Sequence, residues 1–177
     1  MKTIYVDMDD TVAVCDGVLL ERYNNMKSCH GEKLTPYHLL PPYNMLSKEV
    51  RRLLESYLAE PGFFSNLPVV EGCKQVLLDW HKEGNFIYFV TKPFYPSKTC
   101  FSDKLEWVER HFPWLGKHRV IFIQEKSLLY GDVIIDDRYS FMLGFKGKRI
   151  LFDLYARKDQ FKGVEIATTW EEVRKLI

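Results

Sequence analysis

The chain has 177 residues, 46% of them hydrophobic and 28% charged, and its formal net charge is +1. This length favours one domain with room for an insertion, and the composition is typical of a globular protein with a buried core. The near-neutral charge speaks against a nucleic-acid groove and against binding to an anionic membrane surface. We therefore expect no nucleic-acid polymer and no membrane among its partners.

Neither the cysteines nor the first residues indicate secretion. The apolar run at residues 4–6 is shorter than a signal peptide requires, about seven residues or more, and no stretch reaches the ~20 apolar residues that span a bilayer. These features predict a cytoplasmic protein. The cysteines lack C-x-x-C spacing and predict free thiols rather than a zinc site or a redox pair; they are Cys15, Cys29, Cys73 and Cys100.

The first third of the chain predicts one strand followed by two helices. The strand covers residues 4–6, and helical spacing of apolar residues appears at 17–29 and at 47–59, where Ser47 is the expected N-cap. Pro61 and Gly62 end the second helix. We interpret residues 14–68 as a helical cap inserted after the first strand, and residues 1–13 with 69–177 as the core domain.

From residue 71 onward, helices and strands alternate. The pattern predicts helices at 71–83, 102–112 and 169–176, and strands at 86–90, 119–123, 132–135 and 149–152. Gly84 is placed to end the first of these helices. The strands are nearly continuous apolar runs, as in a parallel sheet covered on both faces. The predicted fold class is therefore α/β, with a doubly wound, Rossmann-like parallel sheet.

Two acidic groups directly follow predicted strands. Asp7, Asp9 and Asp10 follow the first strand, and Asp136 and Asp137 follow the strand at 132–135. The carboxyl ends of parallel strands meet at one edge of a sheet. A single Asp there is often a turn or cap residue, but carboxylates ~4 Å apart repel by roughly 4 kcal/mol in a surface-like dielectric. Two such groups therefore predict a site for Mg²⁺, which prefers oxygen ligands.

A hydroxyl and several ammonium groups are candidates for binding phosphate. Thr91 and Lys92 follow the strand at 86–90, Lys104 lies in the helix at 102–112, and Lys126 lies just beyond the strand at 119–123. Both kinds of group donate hydrogen bonds to phosphate oxygens. Lys104 taken alone would fit a solvated helix surface equally well.

In this order the residues resemble the haloacid dehalogenase-like superfamily. That superfamily has D-x-D-x-[TV] after its first strand, Ser or Thr after the second, a Lys before the fourth and an acidic pair after the fourth. The matching residues are Asp7-Met8-Asp9-Asp10-Thr11, Thr91, Lys104 or Lys126, and Asp136-Asp137. A response-regulator receiver uses similar residues, but its Lys comes last, whereas the acidic pair here follows both lysines.

Longer segments are similar to the cytosolic and mitochondrial 5′(3′)-deoxyribonucleotidases. They include PGFFSNLP at residues 61–68, KLEWVERHF at 104–112 and IIDDR at 134–138. Cys15 stands where that family has an aromatic residue in the nucleobase pocket, and Thr91-Lys92-Pro93 replaces its Thr-Ser-Pro. A base could stack on an aromatic residue of the predicted cap, the candidates being Tyr23, Tyr37, Tyr43, Tyr57, Phe63 and Phe64.

The resemblance implies a Mg²⁺-dependent phosphomonoesterase with an aspartyl-phosphate intermediate. Asp7 would be the nucleophile and Asp9 the general acid and base. Mg²⁺ would bind Asp7, the backbone carbonyl of Asp9 and the Asp136/Asp137 pair, and which member of the pair is the direct ligand stays open. The groups that would bind the phosphate are Thr91, Lys92, Lys104 and Lys126.

The implied substrate is a deoxynucleoside or nucleoside 5′- or 3′-monophosphate. A phosphatase for another small phosphate, such as a sugar or cofactor phosphate, would use the same residues. A nucleotide-binding regulator without turnover is an alternative from another functional class. The oligomeric state stays open, a homodimer included.

Overall fold

The computed structural model describes residues 1–26, 33–39, 46–156 and 163–177. Within these ranges, six parallel strands form one sheet: β1 (Thr3–Val6), β2 (Phe86–Thr91), β3 (Val120–Phe122), β4 (Val133–Asp136), β5 (Lys148–Phe152) and β6 (Glu165–Ala167). Their order in the sheet, β3-β2-β1-β4-β5-β6, is that of a Rossmann-type fold. The predicted α/β class with a parallel sheet is confirmed.

The predicted helices lie close to their expected positions. They are α1 (Asp16–Asn24), α2 (Lys48–Leu58), α3 (Cys73–Lys82), α4 (Cys100–His111) and α5 (Trp170–Leu176). Ser47 caps α2 by accepting a hydrogen bond from the backbone N–H of Val50. Gly84 follows the end of α3 with a φ of 86°, a backbone conformation that glycine adopts without strain. The helix predicted at 17–29 ends at Asn24, and residues 27–29 lie outside the described ranges.

Strand β6 was not predicted. It has only three residues, and Ala167 is the one that is buried. Because β6 lies at the edge of the sheet and pairs only with β5, it lacks the continuous apolar run that marks an inner strand.

Alternate residues of the central strand β1 pack on opposite faces of the sheet. Ile4 and Val6 belong to the larger core, which includes Trp107 of α4 and Trp170 of α5. Tyr5 belongs to a smaller core on the other face, which is covered in part by the short 3₁₀ turn Tyr139–Met142. No helix among the described residues has both the length and the apolar character needed to cross a membrane.

The segment 14–68 leaves and rejoins the rest of the chain at one place. The backbone N–H of Val14 donates to the carbonyl of Pro68 at 2.8 Å, and that of Val70 donates to the carbonyl of Val12 at 2.9 Å. These two connections pair as a short antiparallel ribbon, which supports a division into core and cap at residues 13/14 and 68/69. The division itself stays a proposal.

Helix α4 anchors the returning connection. Its Asp103 carboxylate accepts a hydrogen bond from the backbone N–H of Gly62 at 3.0 Å. The indole N–H of Trp107 donates to the carbonyl of Leu67 at 2.8 Å, and Arg110 donates to the carbonyl of Ser65 at 2.9 Å. Three side chains about one helical turn apart therefore hold the segment 61–67 against the core.

Candidate active site

Three carboxylates converge at the carboxyl edge of the sheet. Asp7 follows β1, Asp136 ends β4 and Asp137 comes next, and one oxygen from each lies within 4.8 Å of the others. The convergence follows from the pairing of β1 with β4, which sets Val6 opposite Ile135. All three aspartates are buried, so their negative charges are poorly screened by water.

Lys126 is buried between two of these carboxylates. Its ammonium donates to Asp7 Oδ1 and, at 2.6 Å, to Asp136 Oδ2, and its side chain is only 1% exposed. Burial lowers the pKa of Lys126, but the charges of Asp136 and Asp7 outweigh it and raise that pKa above its ordinary value. The ammonium therefore stays protonated.

Burial raises the pKa of Asp7 to about 7, with Lys126 opposing the shift and Asp136 adding to it.

The two aspartates after β4 have different surroundings. Asp136 uses both oxygens inside the protein, since Oδ2 accepts from Lys126 and Oδ1 accepts from the backbone N–H of Arg138 at 2.8 Å. Asp137 lines a cavity, and one of its oxygens lies 3.6 Å from Nε of Arg138. Burial raises the pKa of Asp137 well above its usual range, with Arg138 opposing the shift.

Lys104 holds the second aspartate of the motif. Its ammonium donates to Asp9 Oδ2 and to Thr91 Oγ1, both at 2.6 Å. The Lys104 side chain is 1% exposed, so the solvated-surface alternative for this residue is wrong. The Asp9 side chain is 33% exposed and lines the cavity. Lys104, which Thr91 helps to position, therefore fixes a carboxylate that remains accessible from the cavity.

Asp10 holds the start of α1. Its carboxylate accepts hydrogen bonds from the backbone N–H groups of Cys15 and Asp16 at 3.0 and 2.9 Å, and from the hydroxyl of Tyr155 at 3.0 Å. The backbone N–H groups in the first turn of a helix have no partner within the helix. The carboxylate of Asp10 accepts hydrogen bonds from two such groups at the start of α1. Asp10 thus connects the motif after β1 to the first helix of the predicted cap.

A cavity of about 510 Å³ opens onto Asp7, Asp9 and Asp137. Of the aromatic residues proposed for base stacking, Phe64 lines it, while Tyr43 lies outside the described residues. Its remaining wall from the segment 14–68 is largely aliphatic, with Cys15, Leu19, Leu39, Leu46, Leu54 and Leu58 beside the polar Asp16, Arg51 and Glu55. The core contributes Asp10, Lys92, Pro93, Phe94, Arg138, Ser140 and Phe141.

Lys92 lies at the rim of this cavity rather than among the buried lysines. Its side chain is exposed, and its ammonium lies 5.3 Å from the centroid of the Phe141 ring. Lys126 and Arg138 approach the same ring at 5.6 and 6.0 Å. Phe141 was not predicted, because no local pattern marks a single aromatic residue in a loop. Arg138 could have been found from its position directly after the acidic pair.

Comparisons with known proteins found relatives of this chain. The family model described as "5′ nucleotidase, deoxy (Pyrimidine), cytosolic type C protein" matches residues 1–177. A 5′(3′)-deoxyribonucleotidase of Clostridium acetobutylicum is 31% identical over 176 residues, which cover 98% of this chain and 93% of that protein.

Solved structures of low sequence identity share the fold. A haloacid dehalogenase family hydrolase from Deinococcus radiodurans R1, with bound phosphate and sodium, superposes with a TM-score of 0.62 at 13% identity, covering 98% of this chain and 93% of that one. A family IA, variant 3 hydrolase from Entamoeba histolytica gives a TM-score of 0.58 at 15% identity, with 97% and 95% covered.

Proposed function

The chain belongs to the family of cytosolic type C deoxy 5′ nucleotidases and is a phosphoric monoester hydrolase; we propose that it hydrolyses deoxynucleoside or nucleoside monophosphates with Mg²⁺, through an aspartyl-phosphate at Asp7. One observation carries this proposal. Asp7 lines a cavity and lies beside both a buried ammonium and two further carboxylates. A nucleophile, a phosphate-binding cation and metal ligands are thus available at a single position.

The donor set at this edge fits a divalent cation. Asp7, Asp136 and Asp137 are buried together, and burial raises the pKa of Asp7 and Asp137, so the folded protein holds their negative charges at a cost that a cation would offset. Oxygen ligands suit Mg²⁺. Both oxygens of Asp136 already accept hydrogen bonds within the protein, which favours Asp137 as the residue that would hold the ion directly, together with Asp7 and the backbone carbonyl of Asp9. Bound Mg²⁺ would supply positive charge against the phosphoryl oxygens.

Asp7 and Asp9 divide the chemistry between them. A carboxylate oxygen of Asp7 attacks phosphorus, the ester P–O bond breaks, and protonated Asp9 gives its proton to the leaving alkoxide. In the second half, Asp9 takes a proton from water as the water oxygen attacks phosphorus and releases Asp7. Lys104, which also donates to Thr91, holds the Asp9 side chain beside the cavity, where both transfers require it.

Four groups bind the phosphoryl oxygens in this proposal. Three of them belong to the core and lie beside Asp7 and Asp9, namely Thr91, Lys104 and Lys126. The fourth, Lys92, adds positive charge from the rim of the cavity. Preorganised positive charge around a developing negative charge is the main means by which such a site lowers a barrier. The cavity is within the range of small-molecule sites, about 300–1,000 Å³, and its apolar wall suits a nucleoside.

The test is phosphate release with Mg²⁺ from a panel of deoxy- and ribonucleoside 5′- and 3′-monophosphates and small sugar phosphates. The wild type should turn over nucleotides, and Asp7→Asn, which keeps the shape of the side chain, should not. Turnover of sugar or cofactor phosphates alone would retain the mechanism and replace the substrate. An inactive wild type that binds nucleotides would favour the non-catalytic regulator instead.

A further inference from the structure

One face of α2 presents two charged side chains among leucines toward the cavity. Arg51, Leu54, Glu55 and Leu58 all line it, as the helical period of 3.6 residues requires for positions three, four and seven apart. Arg52, the next residue, does not line it. Helix α2 thus brings a guanidinium and a carboxylate to the cavity that the core residues also line.

Neither charged group is used to hold the protein together. In the part of the chain that the structure describes, no side-chain hydrogen bond or ion pair joins Arg51 or Glu55 to another residue. The neighbouring Arg22 differs, since it pairs with Glu60 at 2.7 Å and lies 4.3 Å from the centroid of the Tyr57 ring. Both cavity-lining groups are exposed and can therefore accept a partner from a bound molecule.

The chemistry of this wall matches a flat molecule with apolar faces and a polar edge. A guanidinium only donates hydrogen bonds and an ionised carboxylate only accepts them, so the pair recognises an edge that carries an acceptor beside a donor. Leu54 and Leu58 offer apolar contact beside the pair. A nucleobase has both properties, whereas a bare sugar has no apolar faces of this size.

We propose that Arg51 and Glu55 bind the hydrogen-bonding edge of the substrate's base and so determine the preference for nucleotides over other small phosphates. This inference rests on the proposed function, because it concerns the leaving group of the same reaction. Since these contacts are made to the base and not to the reacting phosphoryl group, we expect them to act mainly through KM.

The test compares two substrates that differ only in the base: dUMP and 2-deoxyribose 5-phosphate. For wild type, Arg51→Ala, Glu55→Gln and the matched control Arg52→Ala, kcat/KM is measured with each substrate and expressed as the ratio of the two. Alanine is the best helix former, so both arginine variants keep α2. The ratio should fall about tenfold in Arg51→Ala, as expected for losing one charged hydrogen bond at a partly exposed site. It should fall by a smaller factor in Glu55→Gln, where the amide keeps an acceptor oxygen but loses the charge, and should not change in Arg52→Ala.

The measurements distinguish failure of the base contact from failure of the proposed function. A wild type that turns over nucleotides, with ratios in Arg51→Ala and Glu55→Gln equal to that of Arg52→Ala, overturns this inference and leaves the proposed function intact. A wild type that turns over no nucleotide overturns the proposed function and this inference with it. A fall that appears in kcat alone, with KM unchanged, overturns the base contact.

Discussion

Lys126 neutralises charge that the protein could not otherwise bury. Moving a carboxylate out of water costs several kcal/mol even after the protein relaxes, and Asp7 and Asp136 are both buried. One ammonium contacts both. A single side chain therefore makes the acidic site compatible with folding and also leaves positive charge beside the proposed nucleophile.

Replacing Lys126 with Met should destabilise the protein strongly. The variant leaves Asp7 and Asp136 buried without a counter-charge, and we expect its free energy of unfolding to fall by about 3–5 kcal/mol, measured by urea denaturation without metal. Lys117→Met is the matched control, because Lys117 pairs with Glu109 at the surface, where the side chains are 54% and 51% exposed. That change should cost less than about 1 kcal/mol. Equal losses in the two variants would contradict the buried-charge argument.

The thiol of Cys73 should be inert in the folded protein. Cys73 is buried, and burial raises its pKa to about 12, so almost no reactive thiolate forms at pH 8. Iodoacetamide should therefore label Cys73 in urea but not in native buffer, as read by mass spectrometry of the peptides. Rapid labelling of Cys73 in native buffer would mean that α3 opens locally far more often than its packing implies.

At the scale of elements, local sequence signals were sufficient to predict helix α2, but they were not sufficient to predict which groups Lys104 and Lys126 contact. Ser47 and the spacing of Val50, Leu53 and Leu54 mark α2 because capping and periodicity act over a few residues. The contact of Lys104 with Asp9 joins residues 95 positions apart. It depends on where α4 lies relative to β1, which no local pattern encodes. The order of the motifs was therefore enough to predict which aspartates converge at the sheet edge, whereas which lysine pairs with which aspartate was not predictable.

Helix α4 should stabilise the connection that returns from the predicted cap. Asp103→Ala leaves the N–H of Gly62 and the hydroxyl of Thr99 without their shared acceptor, and the free energy of unfolding should fall by about 1–3 kcal/mol. Thr99→Val is the matched control, since it removes one donor and keeps the bond to Gly62. Its loss, measured by the same denaturation, should be clearly smaller. If the two losses are equal, the bond to Gly62 does not stabilise the fold.

Across the whole molecule, the location of the site followed from topology, but the lining of its cavity did not. Acidic residues after two parallel strands must meet if the strands are neighbours, and β1 and β4 are. The apolar stripe of α2 packs on the larger core, in which Leu54 is buried and against which Leu58 packs. Both leucines also line the cavity, and sequence periodicity does not show which leucines of a core-facing stripe border a cavity, because both kinds lie on the same helix face.

Mg²⁺ should stabilise the folded molecule through Asp137. In EDTA the three buried carboxylates face only the buried Lys126 and the partly buried Arg138, and a cation that binds only the folded state adds about 2.7 kcal/mol at 100 times its Kd. At about 2–4 °C per kcal/mol for a protein of this size, the wild-type Tm should rise by roughly 5–10 °C.

Asp137→Asn should gain little from Mg²⁺, because it removes the ligand, and its Tm in EDTA should equal or exceed that of the wild type, because it also removes a repelling charge. Glu109→Gln, which alters a surface carboxylate outside the cavity, should keep the full shift. Differential scanning calorimetry of each protein in EDTA and in Mg²⁺ gives both values. A full shift retained in Asp137→Asn and lost in Asp136→Asn would reverse the assignment, making Asp136 the direct ligand and freeing Lys126 from the pairing described above.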